Sequence, residues 1–363
     1  MGEARPAVAR ARRVVVKIGS STLAGDDGVY ARLAETIAAR RGTAFVVVSS
    51  GAIALGMKKL GYRARPKEMA KLQAAAAAGQ SLLMRAYEEA FAPRGLSVAQ
   101  VLLTHADLAD RTRANNARAA LGALLEAGAV PILNENDSVA VDEIKFGDND
   151  QLSAMVAPLV DAELVVLLSD VEGLLDGAGR RVAVVRDVAT EALPHVRKSP
   201  GGVGSGGMAS KVEAARRAAL AGANVIVADA RAEGILAAVL AGQDVGTLFV
   251  AARERLNAKK YWIAFTLRPR GELVLDRGAA EAVSAKGKSV LSVGVVGVRG
   301  DFRAGDAVRV VEADGREIAR GLARCGVTDA AMVAGKARED LPDELAELSV
   351  LVHVDELVVG AQT

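Results

Sequence analysis

Two lysines stand beside loops of small residues that a phosphate group could occupy. Lys17 ends an apolar run and is followed by Gly19, Ser20 and Ser21, whereas Lys211 lies in the first turn of a predicted helix. Helix N-termini offer unpaired N–H groups and a partial positive charge, so anions bind there. A lysine adds a compact charge that can follow a phosphoryl group as it moves. We therefore predict polyphosphate chemistry at these two loops.

The loop before Lys211 matches the dinucleotide-binding fingerprint but lacks its context. Gly202 to Gly207 has the required glycine spacing, and Asp229 follows 22 residues after Gly207. The fingerprint should directly follow a strand, but Pro194 and Pro200 separate it from the preceding strand candidate. The sequence also contains no P-loop. We therefore favour phosphate chemistry over a hydride-transfer cofactor.

Two polar clusters could recognise an amino acid. Asn134–Asp137 follows a strand predicted to end at Leu133, and Asp148–Asp150 precedes a helix predicted to begin at Gln151. The carboxylates can orient an ammonium group, and the amides can hold a carboxylate. Helix capping alone would also explain Asp148–Asp150. Because both clusters should lie at the same edge of the predicted sheet, we expect them to form one amino-acid pocket.

Two further strand ends carry small polar residues. Ser49-Ser50-Gly51 could bind a carboxylate through hydroxyl and N–H groups, or it could cap the next helix. Ser169-Asp170 could contact a nucleotide or form a capped turn. The sequence leaves both alternatives open.

Composition excludes several classes of protein. The chain has 363 residues, a formal net charge of +2 and 3% aromatic residues, so no global charge marks a nucleic-acid or membrane partner. Its one cysteine, Cys325, fits a reducing compartment and excludes an internal disulfide. Apolar runs stay below the ~18 residues of a membrane helix, and the N-terminus lacks a signal-peptide core. We predict a cytoplasmic protein.

Residues 1–250 alternate continuous apolar runs with helical segments, which predicts a three-layer αβα sandwich with a mostly parallel sheet. The strand candidates are Arg13–Ile18, Ala44–Ser49, Ser97–Leu103, Ala129–Leu133, Glu163–Ser169 and Asn224–Ala228. The helix candidates are Tyr30–Arg40, Glu68–Phe91, Thr112–Ala127, Gln151–Leu159 and Met208–Ala221. In such a fold the active residues lie where strands end and helices begin.

The pattern changes after a predicted linker at Ala251–Lys260. Short strands and glycine-containing turns then predict a small β-barrel. Its predicted strands are Gly271–Leu275, Ser289–Val298, Ala307–Val311 and Val350–Val352, and its predicted helices are Ala279–Ala285 and Thr328–Ala334. We expect a first domain over residues 1–255 and a second over residues 270–350.

The motifs, taken in order, resemble the amino acid kinase family, and within it the members that phosphorylate the side chain of glutamate. The matching segments are residues 16–20, 49–54, 134–139, 146–154, 167–174 and 204–211. Segments 271–276 and 299–306 resemble the PUA domain that ends these proteins. The resemblance therefore covers nearly the whole chain. It implies ATP-dependent formation of L-glutamyl 5-phosphate, the first step of proline biosynthesis, with Mg²⁺ as cofactor.

The resemblance also implies a role for each matched residue. Lys17 and Lys211 would neutralise the transferring phosphoryl group, and Asp150 would organise both lysines and the Mg²⁺-bound phosphates. The residues implied in glutamate binding are Ser50, Asp137, Asn149, Asn134 and Asp148. The residues implied in nucleotide binding are Lys17, Ser169, Asp170, Ser205, Gly206, Gly207, Met208, Ala209, Ser210 and Lys211. Serine replaces a common family threonine at Ser169, which keeps the hydroxyl but leaves nucleotide preference open.

Partners follow from the same resemblance. It implies a homo-oligomer (dimer or tetramer), feedback by proline through the loop Ser138–Phe146, and a glutamyl phosphate reductase that takes the product.

Residues 270–363 hold 12 Lys and Arg against 16 Asp and Glu, with Phe302 as their one aromatic residue. That composition disfavours RNA binding by the second domain. The alternatives are another amino acid kinase, acting on aspartate or N-acetylglutamate, and an RNA-binding or regulatory protein on the same fold.

Overall fold

The computed structural model describes residues 4–25, 28–139, 149–196 and 207–360. The chain divides into two compact units, Met1–Arg255 and Leu256–Thr363. Within the described residues, no helix is both long and apolar enough to cross a membrane.

The first unit is built on an eight-stranded sheet. Its strands are β1 Arg13–Ile18, β2 Ala44–Ser49, β3 Val98–Leu103, β4 Val130–Glu135, β5 Leu164–Ser169, β6 Val184–Val185, β7 Asn224–Asp229 and β8 Thr247–Phe249. They lie in the order β3-β4-β2-β1-β5-β7-β8-β6. Among these described strands, neighbours are parallel except for β7 and β8. The mostly parallel sheet of the prediction is confirmed.

Helices cover both faces of this sheet. They are α1 Ala4–Ala9, α2 Ser20–Gly25, α3 Val29–Ala39, α4 Ala52–Lys59, α5 Met69–Phe91, α6 His105–Ala109, α7 Arg111–Glu126, α8 Asn149–Val156, α9 Val188–Glu191, α10 Met208–Leu220 and α11 Ile235–Leu240. One core packs α3 and α5 against Val14, Val16 and Ile18 of β1. The other packs α7, α8 and α10 against Val15 of the same strand. Because side chains alternate along a strand, Lys17 belongs to the face that α8 and α10 cover.

Helices α4 and α5 cross closely because glycine stands at both contact points. A Cβ atom on Gly56 would lie 1.7 Å from the carbonyl oxygen of Ala75. A Cβ atom on Gly79 would lie 1.8 Å from the carbonyl oxygen of Ala52. No side chain fits at either position. This crossing fixes the start of α4, which directly follows Ser50 and Gly51.

Two boundaries next to the polar clusters differ from the prediction. Strand β4 continues through Asn134 and Glu135 instead of ending at Leu133, because both residues pair with β3. Helix α8 begins at Asn149 and ends at Val156, with a 3₁₀ turn at Ala157–Leu159. Asn149 and Asp150 are therefore first-turn residues of the helix and not its cap.

The second unit contains a five-stranded sheet and a separate pair of strands. Its strands are β9 Gly271–Leu275, β10 Val290–Leu291, β11 Val295–Gly300, β12 Ala307–Glu312, β13 Glu317–Leu322, β14 Val350–Val352 and β15 Leu357–Val359. The five-stranded sheet has the order β11-β9-β12-β13-β15, and β10 pairs with β14. Its α-helices are α12 Ala258–Tyr261, α13 Arg277–Lys286 and α14 Val327–Val333, and a π-helical turn spans Trp262–Thr266. The single strand predicted over Ser289–Val298 was wrong, because a 3₁₀ turn at Ser292–Gly294 divides it. Phe302 is buried in this unit's core.

Candidate active site

Lys17 and Lys211 meet at one carboxylate. The Nζ atom of Lys17 lies 2.6 Å from Oδ1 of Asp150, and the Nζ atom of Lys211 lies 3.3 Å from Oδ2. All three side chains are buried, and Asp150 is 1% exposed. Two buried ammonium groups around one carboxylate carry a net charge of +1. Ammonium groups held in place by a carboxylate in this way are suited to binding a phosphate.

Secondary structure explains why these three groups converge. Lys17 is the penultimate residue of β1, Asp150 is in the first turn of α8, and Lys211 is in the first turn of α10. Both helices pack on the sheet face to which Lys17 belongs. The amide Nε2 of Gln151 also donates to the carbonyl oxygen of Ser210 at 3.1 Å, which joins the first turns of α8 and α10. Each of the three side chains is therefore positioned by a strand or a helix of the first unit.

The residues at the start of α10 lie next to Lys211 in the chain. Gly207 precedes the helix in extended conformation, and Met208 and Ala209 are half buried. Ser210 is buried, and the backbone N–H of Lys211 donates to the carbonyl of Gly207 at 3.3 Å. Predicted site residues Ser205 and Gly206 lie outside the described residues, so the helix start is the part of the loop that the structure positions.

A second group of polar side chains lies beside the lysines. The amide Nδ2 of Asn149 donates to Oγ of Ser50 at 2.7 Å and to Oδ1 of Asn134 at 3.1 Å. Asn134 and Asn149 are buried, and Ser50 is half buried. The structure thus joins three of the residues predicted for amino-acid binding. Because Asn149 precedes Asp150 in α8, this group adjoins the lysine cluster.

The end of β2 is held by a hydrogen bond from α5. The phenol of Tyr87 donates to Oγ of Ser49 at 2.8 Å, and complete burial raises the pKa of Tyr87 well above its usual value. Tyr87 therefore stays neutral and keeps its proton for Ser49. Gly51 then starts α4 with a φ of 108°, a conformation that favours glycine. Ser50 is consequently fixed between two constrained neighbours.

Asp137 lies half buried in the turn that follows β4. The carboxyl end of β4 therefore carries both Asn134 and Asp137. Predicted site residue Asp148 lies outside the described residues, as does the stretch from residue 140 to 146 of the loop predicted for feedback.

The end of β5 offers a third polar group. Oγ of Ser169 donates to Oδ1 of the exposed Asp170 at 3.0 Å. Arg231 donates from a terminal guanidinium nitrogen to the backbone oxygen of Asp170 at 2.8 Å and forms an ion pair with Asp229. The hydrogen bond from Arg231 lowers the pKa of Asp229. Sequence reasoning missed Arg231.

The described residues contain no group of three or more His, Cys, Asp and Glu side chains that could hold a metal ion. Both oxygens of Asp150 already contact ammonium groups. Mg²⁺ usually keeps several waters and binds through substrate phosphates with one or two carboxylates. The donor set therefore fits a divalent cation that arrives on a polyphosphate.

Comparison with known proteins identifies the family of this chain. The amino acid kinase family profile matches residues 12–229, and the PUA domain profile matches residues 271–344. The glutamate 5-kinase of Pelobacter propionicus is 46% identical, with 96% of this chain and 97% of the relative aligned. The glutamate 5-kinase of Myxococcus xanthus is 47% identical, with 98% of each chain aligned. The chain belongs to the amino acid kinase family.

A solved structure agrees with this family fold. N-acetylglutamate synthase from Neisseria gonorrhoeae, complexed with coenzyme A and L-arginine, superposes with a TM-score of 0.50 and 17% sequence identity. The match covers 69% of this chain and 64% of that one. At this identity the likeness concerns the fold alone. The similarity to glutamate 5-kinases, by contrast, extends over almost the full length of both chains.

Proposed function

We propose that this protein transfers the γ-phosphoryl group of ATP to the side-chain carboxylate of L-glutamate. The products are ADP and L-glutamyl 5-phosphate, and the reaction is the first step of proline biosynthesis. The observation that carries the proposal is the contact of Lys17 and Lys211 with one buried carboxylate beside the Ser50–Asn149–Asn134 group. The full-length similarity to glutamate 5-kinases supports the same substrate pair.

The chemistry requires positioning and charge neutralisation more than proton transfer. One oxygen of the glutamate side chain attacks the γ-phosphorus, and the bond from that phosphorus to the β,γ-bridging oxygen breaks. Both electrons of that bond leave with ADP. The attacking carboxylate is already ionised at pH 7, so the enzyme needs no general base. Negative charge on the transferring group and on ADP is what the protein must stabilise.

Lys17 and Lys211 fit this requirement. Their ammonium groups converge on Asp150 from the sheet and from α10, so the phosphoryl group would pass between them. Asp150 holds both side chains in place and lowers their mutual repulsion. Mg²⁺, when bound with ATP, neutralises phosphate charge. The first turn of α10, from Met208 to Ser210, would supply backbone N–H groups for the same phosphates.

The amino-acid pocket fits glutamate by the chemistry of its groups. Ser50 accepts a hydrogen bond from Asn149, so its own hydroxyl proton can be donated to a carboxylate. The carboxylate of Asp137 suits the ammonium group, and Asp148 is assigned beside it by sequence. Ser169 and Asp170 would contact the nucleotide from the end of β5.

An acceptor screen with hydroxylamine trapping tests the proposal. Purified protein is incubated with ATP, Mg²⁺, hydroxylamine and one of glutamate, aspartate or N-acetylglutamate. An acyl phosphate reacts with hydroxylamine to give a coloured iron–hydroxamate complex. We expect colour with glutamate at a rate at least tenfold above the others. Preference for aspartate or N-acetylglutamate would assign a different acceptor, and no colour with any acceptor would overturn the kinase proposal.

We also propose the cellular setting that the sequence suggested. The enzyme acts in the cytoplasm as a homo-oligomer, is inhibited by proline, and passes its labile acyl phosphate to a reductase. The buried, single Cys325 suits a reducing compartment. Residues 270–363 serve assembly or regulation, since Phe302, their one aromatic residue, is buried and offers no surface for a base to stack on.

A further inference from the structure

Gln80 is a buried polar residue on a helix face that is otherwise apolar. It lies in α5, where Leu83, Tyr87 and Phe91 of the same face are fully buried in the core. Gln80 itself is 9% exposed. Burying an amide is unfavourable unless its donors and acceptors are paired. A core position with this residue type calls for an explanation.

The side chain of Gln80 belongs to a chain of hydrogen-bonded amides that ends at Ser50. Its Oε1 accepts from Nδ2 of Asn134 at 3.0 Å, and its Nε2 donates to Oε1 of Gln100 at 3.2 Å. Oδ1 of Asn134 then accepts from Nδ2 of Asn149, which also donates to Ser50. The chain crosses from α5 through β4 and α8 to the end of β2.

Each link in this chain fixes the orientation of the next amide. Because Gln80 accepts from the nitrogen of Asn134, the oxygen of Asn134 must face Asn149. Asn149 must then turn its nitrogen toward Asn134 and Ser50, and its oxygen away from them. The backbone N–H of Glu135 also donates to Oδ1 of Asn134 at 2.9 Å, and Nδ2 of Asn149 also donates to the carbonyl oxygen of Ser49 at 3.3 Å. Loss of the Gln80 acceptor would therefore loosen the Asn134 amide without removing every contact that orients it. A shift of Asn134 would move the oxygen that Asn149 contacts, and with it the hydrogen bond by which Asn149 leaves the hydroxyl proton of Ser50 available for substrate.

We propose that Gln80 is a positioning residue that sets the affinity for glutamate, and this rests on the proposed function. It acts by fixing the donor and acceptor pattern of Asn134, Asn149 and Ser50. The lysine cluster is held separately through Asp150, so loss of Gln80 should affect binding of the amino acid and spare phosphoryl transfer.

Three substitutions test this inference by kinetics with trapped product. Gln80→Met removes the acceptor at nearly constant volume, and Gln80→Asn withdraws the amide by one methylene. We expect both to raise the KM for glutamate about tenfold, as for loss of one hydrogen bond, while kcat and the KM for ATP stay within twofold. Gln80→Glu keeps an acceptor oxygen, so its KM for glutamate should lie closer to the wild-type value.

Gln100→Met is the matched control, because it removes the exposed outer partner and leaves the bond from Asn134 to Gln80 intact; its KM should stay within threefold. A glutamate KM in Gln80→Met and Gln80→Asn within twofold of wild type would overturn the inference. An equal rise in the KM for ATP would also overturn it, since that indicates general distortion. If Gln80→Met does not fold, Gln80→Asn decides alone, and unfolding of both would assign Gln80 to stability instead. Failure of the wild-type enzyme to phosphorylate glutamate would instead refute the proposed function.

Discussion

Asn149 and Asp150 are consecutive residues in the first turn of α8, and they join the two halves of the candidate site. Asn149 donates to Ser50 at 2.7 Å, and Asp150 contacts the ammonium groups of Lys17 and Lys211 at 2.6 and 3.3 Å. One helical turn thus links the group assigned to glutamate with the group assigned to phosphate. A shift of this turn would move both groups together.

The two lysines should contribute to the transition state more than to glutamate binding. We predict that Lys17→Met and Lys211→Met each lower kcat by about 100-fold or more, because a preorganised charge on the transferring group is lost. The KM for glutamate should change less than about threefold. Steady-state kinetics with varied glutamate and ATP measure both. Lys71→Met removes an exposed lysine of α5 and should leave the rate unchanged. An unchanged kcat in either site variant would refute the assignment.

The glycines at the α4–α5 crossing should be intolerant of any side chain. We predict that Gly79→Ala lowers the free energy of unfolding by at least about 3 kcal/mol, because its Cβ would lie 1.8 Å from the carbonyl oxygen of Ala52. Gly122 in α7 has no atom within 4 Å of such a Cβ. Gly122→Ala should therefore be neutral or stabilise by up to about 1 kcal/mol. Chemical denaturation measures both, and equal effects would contradict the crossing geometry.

Acid should destabilise the first unit partly through Glu213 of α10. Burial alone would raise the pKa of Glu213, but hydrogen bonds and charges from Arg216 and Arg217 outweigh it, so the pKa is lowered. The ionised form is favoured in the folded state. Its contribution is therefore present above the unfolded pKa of about 4.3 and is lost as pH falls through the lower, folded value.

Denaturant unfolding at pH 7 and pH 3 tests this linkage. Glu213→Gln should lower stability at pH 7 by about 1–2 kcal/mol and lose less than wild type on acidification. Glu126→Gln, which changes an exposed carboxylate at the end of α7, should follow the wild-type pH curve. If Glu213→Gln lost as much stability as the wild type on acidification, Glu213 would make no such contribution.

The single thiol should be inert in the folded protein. Cys325 is buried, and its burial raises the pKa to about 11, so almost no thiolate is present at neutral pH. We predict no reaction with a disulfide reagent at pH 7.5 until denaturant is added, when one thiol should titrate. Val296→Cys, at a position 61% exposed, should add one rapidly reacting thiol. Rapid labelling of the wild-type protein would contradict the buried environment.

The strong patterns of the sequence predicted most of the first unit's sheet. Strands Arg13–Ile18 and Ala44–Ser49 were predicted with their observed bounds, because a continuous apolar run between two loops marks both ends of a buried strand. The short strand Thr247–Phe249 was missed. Its three residues pair antiparallel with β7, and such a short run carries no periodicity of its own.

The candidate site was predicted less completely than the fold. Its two lysines and its amides stand next to glycine loops or strand ends, which sequence reasoning can recognise. Gln80, Gln151 and Arg231 lie beside this candidate site through contacts with residues distant in sequence. The one available signal for Gln80 was a polar residue at an apolar position of α5. That pattern alone does not reveal its partners.

The central claim is that a glutamate carboxylate oxygen attacks the γ-phosphorus of ATP. The direct measurement uses glutamate with ¹⁸O in its side-chain carboxylate, together with ATP, Mg²⁺ and hydroxylamine. Hydroxylamine attacks the carbonyl carbon of the acyl phosphate, so the bridging oxygen leaves with inorganic phosphate. We predict that mass spectrometry finds one ¹⁸O atom in each phosphate released. Phosphate without ¹⁸O would show that water is the acceptor and would contradict the account.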